Sequence, residues 1–144
     1  MDNSQSASPR TPWHLWLVGA ISLFWYLSGA ITIMMGQHAN LPGLSPEEAA
    51  YYAAKPVWQE LVTDLGLVAT VAGSLALLLR RAWTVQAFAL AAVVILLIDT
   101  YDLTNGTSRV YANNVAAVVT AIILVGVVLN WLYARAMQRR GVLR

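Results

Sequence analysis

Four carboxylates lie near the ends of two strongly apolar segments, and their spacing is the first indication of chemistry in this chain. Asp99 and Asp102 follow the apolar run FALAAVVILLI at residues 88–98. Glu60 and Asp64 stand four residues apart in the preceding apolar segment, so a helix would present both on one face. If the two helices face each other around water, this pattern predicts an acidic vestibule for a cation, a proton or a small polar solute.

The depth of these carboxylates along their helices predicts different roles for them. Asp64 lies six residues beyond Trp58, which is ~9 Å along a helix axis. At that depth in a membrane, a carboxylate costs on the order of 2–3 kcal/mol unless it is paired or hydrated. Asp99 likewise lies one turn deeper than Asp102. We therefore expect Asp64 and Asp99 to carry any binding, and Asp102 to be hydrated and replaceable. The alternative is ordinary solvation of helix ends, with Arg109 as the counter-charge.

Tyr26 is the polar side chain expected at the floor of such a vestibule. It lies near the middle of the first apolar segment and shares a helical face with Gly19 and Ser22. A buried tyrosine hydroxyl needs a hydrogen-bond partner, and we expect Thr70 or Ser74 to supply it. The alternative is a polar contact that only fixes the helix register. The predicted ligand-binding set is Asp64, Asp99, Glu60, Tyr26, Asp102 and Arg109.

The other residue types weigh against several kinds of chemistry. The chain has no cysteine, which excludes disulfides, thiol redox chemistry and cysteine-ligated metals. Met34, Met35 and His38 are compatible with copper, but methionines at a helix end usually serve packing. The sequence shows no nucleophile–base–acid set, phosphate loop or metal-ligand spacing, so we expect no enzymatic activity, no metal and no cofactor. Its basic residues flank apolar segments instead of forming a stripe, which argues against a nucleic-acid partner.

The composition is that of a membrane protein. Of its 144 residues, 58% are hydrophobic and 11% are charged, whereas soluble domains carry about 25% charged residues. Only helices satisfy their own backbone hydrogen bonds in lipid without closing a barrel, and the apolar runs lack the alternation of barrel strands. The sequence therefore predicts an all-α membrane protein. The predicted spans are residues 13–35, 57–79, 83–103 and 112–134.

A helix-start signature lies in the connection between the first two spans. Ser45 is placed as the N-cap, Pro46 occupies the first helical position, and Glu48 completes a capping box. The pattern predicts a short interfacial helix over residues 46–54. Pro56 should separate this helix from the second span, because the residue before a proline disfavours helical backbone.

The distribution of basic residues predicts the orientation. With the amino terminus in the cytoplasm, seven of the nine Lys and Arg residues lie inside. Only Lys55 and Arg109 then lie outside, which is a clear positive-inside pattern. We therefore expect a multi-pass protein of a bacterial inner membrane with both termini cytoplasmic. The predicted domains are a polar tail at 1–12, a transmembrane domain at 13–134 and a basic tail at 135–144.

Small residues mark the predicted helix contacts, because lipid supplies little hydrophobic drive between helices. In the first span they follow the spacing of one face of a left-handed crossing. Together the four spans predict an up-down-up-down four-helix bundle. The predicted contact residues are Gly19, Ser22, Tyr26, Gly29, Ile33 and Gly36 in the first span, Gly66, Ala69 and Gly73 in the second, Ala89 and Ala92 in the third, and Ala117, Ala121 and Gly126 in the fourth.

Five stretches spread over most of the chain follow a familiar pattern. They are WHLWLVGAISLFW (13–25), SPEEAAYY (45–52), KPVW (55–58), GSLALLLRR (73–81) and RGVLR (140–144). Together they resemble small four-span inner-membrane proteins of proteobacteria, which often carry a "sugar transporter" label. The resemblance implies the fold and the inner membrane, and less directly the handling of a solute. The chain departs from the pattern at Tyr26, where Asn is usual, and at Thr32–Ile33, where Asp-Tyr is usual. Both departures remove polar groups from the first helix and weigh against an inherited transport role.

Two functions follow from these observations. The first is a non-enzymatic protein that binds or passes a small polar solute or cation through the acidic vestibule. The second is an accessory or scaffold subunit of a larger membrane complex. In that role the chain would contact a membrane-protein partner or a second copy of itself, as well as the lipid bilayer. Whether the protein purifies alone or with other subunits distinguishes the two.

Overall fold

The computed structural model describes residues 11–37, 43, 45–105 and 114–144, apart from the side chains of residues 36–37, 47–48, 51–52 and 114–117. This part of the chain is helical and contains no strand. Its helices are α1 (Trp13–Gln37), α2 (Pro46–Ala54), α3 (Val57–Leu78), α4 (Thr84–Thr104) and α5 (Asn114–Arg139). The predicted all-α fold is confirmed, and the short helix between the first two spans begins and ends where the sequence predicts.

Four of these helices are long and apolar enough to cross a membrane. The qualifying stretches are Trp13–Met35, Val57–Leu78, Thr84–Thr104 and Val118–Arg139. Many large apolar side chains on them are exposed, among them Phe24, Leu61, Val93 and Leu129. An exposed apolar surface on every long helix is what a lipid environment requires, since a soluble protein rarely exposes contiguous apolar patches of this extent. The chain is therefore a small multi-pass membrane protein.

Neighbouring long helices run antiparallel, as the up-down-up-down prediction requires. The helix pairs α1–α3, α3–α4 and α4–α5 pack along their lengths, and polar side chains join α1 to α5. The contacts that set the register are Gly19 with Leu78, Gly66 with Val94, Gly73 with Phe88, and Ser22 with Asn130. We call the end of the bundle that holds the start of α1 and the end of α5 the basal end, and the opposite end the distal end.

The predicted small-residue faces are confirmed in α1 and α3. Ser22 and Tyr26 of α1 are buried, as are Gly66 and Gly73 of α3. At Gly66 a side chain is excluded, because an added Cβ would lie 2.8 Å from the Val94 side chain.

The predicted contact faces of the last two spans are confirmed only in part, since Ala92 packs against the core without lying on the most buried face of its helix. The buried face of α4 is formed by Phe88, Ala91 and Val94, because these larger side chains fill the space beside the α3 glycines. Ala89 and Ala92 are only partly buried, and Ala121 of α5 is exposed. In α5 the partly buried Gly126 does meet α1, where Tyr26 approaches it.

The chain folds back on itself at the basal end. α5 continues to Arg139, through residues expected to form the start of a free basic tail. The last residues then return to the connection between α3 and α4. There Arg144 donates its backbone N–H to the Arg80 carbonyl at 2.7 Å and accepts from the Ala82 N–H at 2.8 Å. Val142 and Leu143 are buried in the core. The tail is thus part of the folded bundle.

Two helix-ending motifs of the same kind shape this basal contact. At the end of α5, the Val142 N–H reaches back to the Met137 carbonyl and Gly141 has φ 68°. At the end of α3, the Arg81 N–H reaches back to the Ala76 carbonyl and Arg80 has φ 58°. Glycine is usual at such a left-handed position, and a side chain there is strained. Arg80 offsets that strain, since its Nε donates to the Val142 carbonyl at 3.2 Å.

Candidate functional site

A cavity of about 160 Å³ lies in the distal half of the bundle, between all four long helices. Most of its wall is apolar. The polar exceptions are Tyr26 of α1, Thr63 and Thr70 of α3, Asp99 of α4 and Thr120 of α5. Among the described residues, Asp99 is the only carboxyl on this wall. Among the residues that the sequence assigned to a ligand, Asp99 and Tyr26 are brought together in one cavity.

Asp99 stands about one and a half turns from the distal end of α4, so it is ~7.5 Å inside the helix end. It is partly buried. No hydrogen bond or ion pair joins its carboxyl to any other residue that the structure describes. Unpaired carboxyls at such positions are rare in membrane helices and mark binding or ion pathways by default.

Tyr26 forms the basal floor of the cavity. Its hydroxyl accepts a hydrogen bond from Asn130 Nδ2 at 3.1 Å, and its ring packs against Phe88 with the ring centroids 6.3 Å apart. The Asn130 amide also donates to the Gly126 carbonyl at 2.9 Å and accepts from Ser22 Oγ at 2.9 Å. One asparagine thus ties α1 to α5 and holds the tyrosine in place.

The sequence-based choice of a partner for Tyr26 was wrong. Thr70 and Ser74 instead donate to backbone carbonyls of their own helix, at Leu67 and Thr70 respectively. Asn130 could have been found from sequence, since it follows the three- and four-residue spacing of the buried residues Val127, Ala134 and Met137. An amide on an otherwise apolar buried face signals a polar contact with a neighbouring helix.

The structure places Asp64 in a different location from Asp99. Asp64 lines a groove between α1 and α3, beside Ala30, Met34 and Val68. Its Oδ1 atom is buried without a hydrogen-bond partner. In place of one shared vestibule, the structure has two neighbouring features that share Ala30 and Leu67. Thr63, Gly66 and Thr70 line the cavity, whereas Asp64 lines the groove.

Asp102 belongs to a polar cluster at the distal end, instead of being simply hydrated. It accepts a hydrogen bond from Gln59 Nε2 at 2.7 Å, and Gln59 is only 2% exposed. Beside this contact, the rings of Trp58 and Tyr101 meet edge to face with centroids 4.6 Å apart. These contacts join the distal ends of α3 and α4. Thr63, Gly66, Thr70 and Gly73 follow a three- and four-residue spacing, and Gln59 lies four residues before Thr63. Extending this spacing towards the start of α3 therefore predicts that Gln59 is buried.

Lys55 also belongs to the distal cluster. Like Gln59, it was not among the residues that the sequence predicted for the site. Burial lowers the pKa of its ammonium group, and the nearby carboxylates of Asp102 and Glu60 raise it in part. Glu60 is partly buried. In the described structure, Lys55, in the connection before α3, is thus the counter-charge to Asp102 and Glu60. Arg109, the predicted counter-charge, lies outside the described residues.

The remaining predicted groups do not add a metal site to the described structure. No cluster of three or more His, Cys, Asp or Glu side chains occurs in the part of the chain that is described. His14, at the basal end, shares a hydrogen bond with the Tyr133 hydroxyl. His38 lies outside the described residues.

Comparisons with known proteins do not assign a family to this arrangement. No protein family, no curated protein and no solved structure matches the chain. The function is therefore inferred from the geometry of the site.

Proposed function

We propose that this protein binds a small polar solute or a cation in the distal cavity, at the carboxyl of Asp99. The observation that carries the proposal is this unpaired carboxyl on the wall of a partly open cavity between four apolar helices. A charged carboxylate in a membrane interior is destabilised by desolvation unless a cation or donor offsets it. A bound solute with a positive charge or a hydrogen-bond donor supplies that offset.

The geometry supports binding more directly than free permeation. Below Tyr26, the basal half is filled by fully buried side chains, including Phe88, Leu77 and Leu15. A solute in the cavity would have to displace this packing to leave at the basal end. Transport would therefore require a second conformation in which α1 and α5 part at the Asn130 contact.

The charge distribution supports one orientation in a bacterial inner membrane. We place the basal end in the cytoplasm, because the positive-inside rule assigns short arginine-rich segments to that side. Arginines near this end are Arg80, Arg81, Arg135, Arg139, Arg140 and Arg144. Reporter fusions after residues 43, 81, 106 and 144 are expected to read outside, inside, outside and inside. Periplasmic reactivity of the segment around Arg81 would contradict this orientation.

The groove at Asp64 supports a second proposal, in which the chain is an accessory subunit of a membrane complex. A buried carboxylate oxygen without a hydrogen bond is costly in a low-dielectric surrounding. A helix from a partner protein that carries a hydroxyl or amide side chain would satisfy it. Co-purification of a second membrane protein with the wild type, and its loss in Asp64→Leu, would support this role. Purification of the wild type as a lone monomer would oppose it.

The test of the binding proposal is a thermal-shift panel on the purified protein with small amines, inorganic cations, sugars and polyols. At least one class is expected to stabilise the wild type and to fail with Asp99→Asn. Stabilisation by no compound, or equal stabilisation of both proteins, would overturn the proposal.

A further inference from the structure

We propose that the ligand of the distal cavity is a small organic monoamine with a compact apolar body, of about the size of benzylamine. This inference rests on the proposed function and names its ligand class. It follows from three properties of the cavity, which are its volume, the chemistry of its wall and the position of Gly29.

The volume limits the ligand to one small ring or a short branched chain. The cavity measures about 160 Å³, and an engineered cavity of about 150 Å³ in another protein holds one benzene molecule. A disaccharide or a drug-sized molecule would extend beyond this space, because pockets for drug-sized ligands begin at about 300 Å³.

The wall offers one charge and much apolar surface. Apolar side chains from each long helix line the cavity, among them Ile33, Leu67, Ile98 and Ile123. A ligand that matches this wall carries one positive group for Asp99 and buries a hydrocarbon body against the isoleucines. Removing that hydrocarbon from water favours binding.

Hydroxyl-rich ligands match the same wall poorly. The hydroxyl hydrogens of Thr63 and Thr70 are already donated to the carbonyls of Gln59 and Leu67. The Tyr26 hydroxyl accepts from Asn130, so of these three hydroxyls it alone keeps its O–H to donate to a ligand. Most hydroxyls of a sugar would therefore lose their hydrogen bonds to water without regaining them, which is unfavourable for each group.

A divalent inorganic cation also matches poorly. Calcium takes six to eight oxygen ligands and magnesium requires near-octahedral coordination. The cavity supplies one carboxyl, three threonine hydroxyls and one tyrosine hydroxyl. An ammonium group needs only about three acceptors, because it has three N–H bonds. Asp99 and neighbouring hydroxyl oxygens meet this smaller requirement.

Gly29 keeps the cavity open. It lies on the cavity wall, and a Cβ added to it would have no atom within 4 Å. Helix packing therefore does not require a glycine at position 29, whereas it does at position 66. A leucine at position 29 would project into the free space and exclude the ligand. Gly29 is thus the size-determining position of the cavity.

The experiment measures binding to the full-length protein in lipid nanodiscs by calorimetry, with protein-free nanodiscs to subtract partitioning into lipid. The probes are benzylamine, its neutral analogue benzyl alcohol, glucose and potassium ion. Benzylamine is expected to bind at least tenfold more tightly than benzyl alcohol. Asp99→Asn should remove this tenfold preference, and Gly29→Leu should abolish binding of both ring compounds. Asp64→Asn removes the same charge outside the cavity and should change the affinity for benzylamine less than twofold.

The outcomes separate this inference from the function on which it rests. If glucose or potassium binds in an Asp99-dependent way and benzylamine does not, the ligand class is wrong and the binding function stands. If benzylamine binds equally to the wild type and to Asp99→Asn, the inference is overturned. If no probe class binds through Asp99 in either this experiment or the thermal-shift panel, the inference and the binding function both fail. Circular dichroism of each variant establishes that a loss of binding does not come from unfolding.

Discussion

The basal and distal halves of this bundle are built from similar apolar helices but are packed in different ways. In the basal half, the side chains of Leu15, Leu77 and Phe88 are fully buried, and the chain terminus is hydrogen-bonded to the α3–α4 connection. In the distal half, the same four helices enclose a cavity with the Asp99 carboxyl on its wall. The distal ends of α3 and α4 are also joined, through Gln59 and Asp102, but the cavity and its carboxyl lie only in the distal half.

The contrast reflects how membrane helices associate. Lipid is as apolar as a leucine side chain, so helices are held by close packing and interhelical polar contacts instead of by hydrophobic burial. The basal half has both, through Gly19 against Leu78 and through Ser22 bonded to Asn130. With the basal half holding the helices together, the distal half can leave space between them. Binding sites generally lie in the less stable parts of a structure for this reason.

Helix α1 contains the contrast within a single element. Gly19 allows close contact with α3, while Gly29 lies ten residues further along and faces open space. The two positions belong to the same residue type and the same helix. Their different surroundings allow the comparison of the two halves to be tested by identical substitutions.

Deletion of residues 141–144 is expected to have the largest effect on stability. It removes the buried Val142 and Leu143 side chains and leaves the Ala82 N–H without the Arg144 carbonyl. Each buried side chain contributes about 1.5–3 kcal/mol, so the free energy of unfolding should fall by at least about 3 kcal/mol. Denaturation of the purified protein in detergent micelles measures this loss. Arg144→Ala retains the backbone contacts and should remain close to the wild type. A truncated protein as stable as the wild type would show that the tail is not part of the folded core.

Gly19→Ala and Gly29→Ala form a matched pair with opposite expectations. A Cβ at position 19 would lie 2.6 Å from Leu78 Cδ2, and overpacking of this kind costs about 1–3 kcal/mol. A Cβ at position 29 meets nothing, so the replacement should be neutral or stabilising by up to about 1 kcal/mol from helix propensity. Both values come from the same denaturation measurement. Equal destabilisation by the two substitutions would remove the distinction between the packed half and the open half.

The smallest effect is expected at Lys55, in the distal cluster. Burial lowers its pKa below the usual 10.5, so between the lowered pKa and 10.5 the unfolded chain binds more protons than the folded one. The free energy of unfolding should therefore rise with pH across that interval. The effect is small, because the side chain is partly exposed to solvent. Melting temperatures measured through the alkaline range should show a slope in the wild type that Lys55→Met lacks. An identical slope in both proteins would mean that Lys55 is not destabilised by burial.

More of the fold than of the candidate site could be predicted from the sequence. Segment length and composition predict the four helices, since a membrane span requires about 20 apolar residues whatever its neighbours are. The small-residue spacing correctly identifies the buried faces of α1 and α3. The site depends on which way each carboxylate turns, and this requires the rotation of each helix about its axis. The sequence predicts Asp64 and Asp99 in one vestibule, but the structure brings only Asp99 into the cavity with Tyr26.

The amino-acid pattern is sufficient to specify a bundle of four apolar helices with a short helix at residues 46–54, because lipid solvation and backbone hydrogen bonding act within each segment. The pairing of residues far apart in the chain could not be obtained in this way. The return of Arg144 to Arg80, the bond from Asn130 to Tyr26 and the separation of Asp64 from Asp99 all depend on interhelical rotation and register. A rotation of about 100° would bring Asp64 to the direction in which Thr63 now points, since successive helical residues lie about 100° apart. Such an angle is set by side-chain packing between helices, and it places a single carboxyl on the cavity wall.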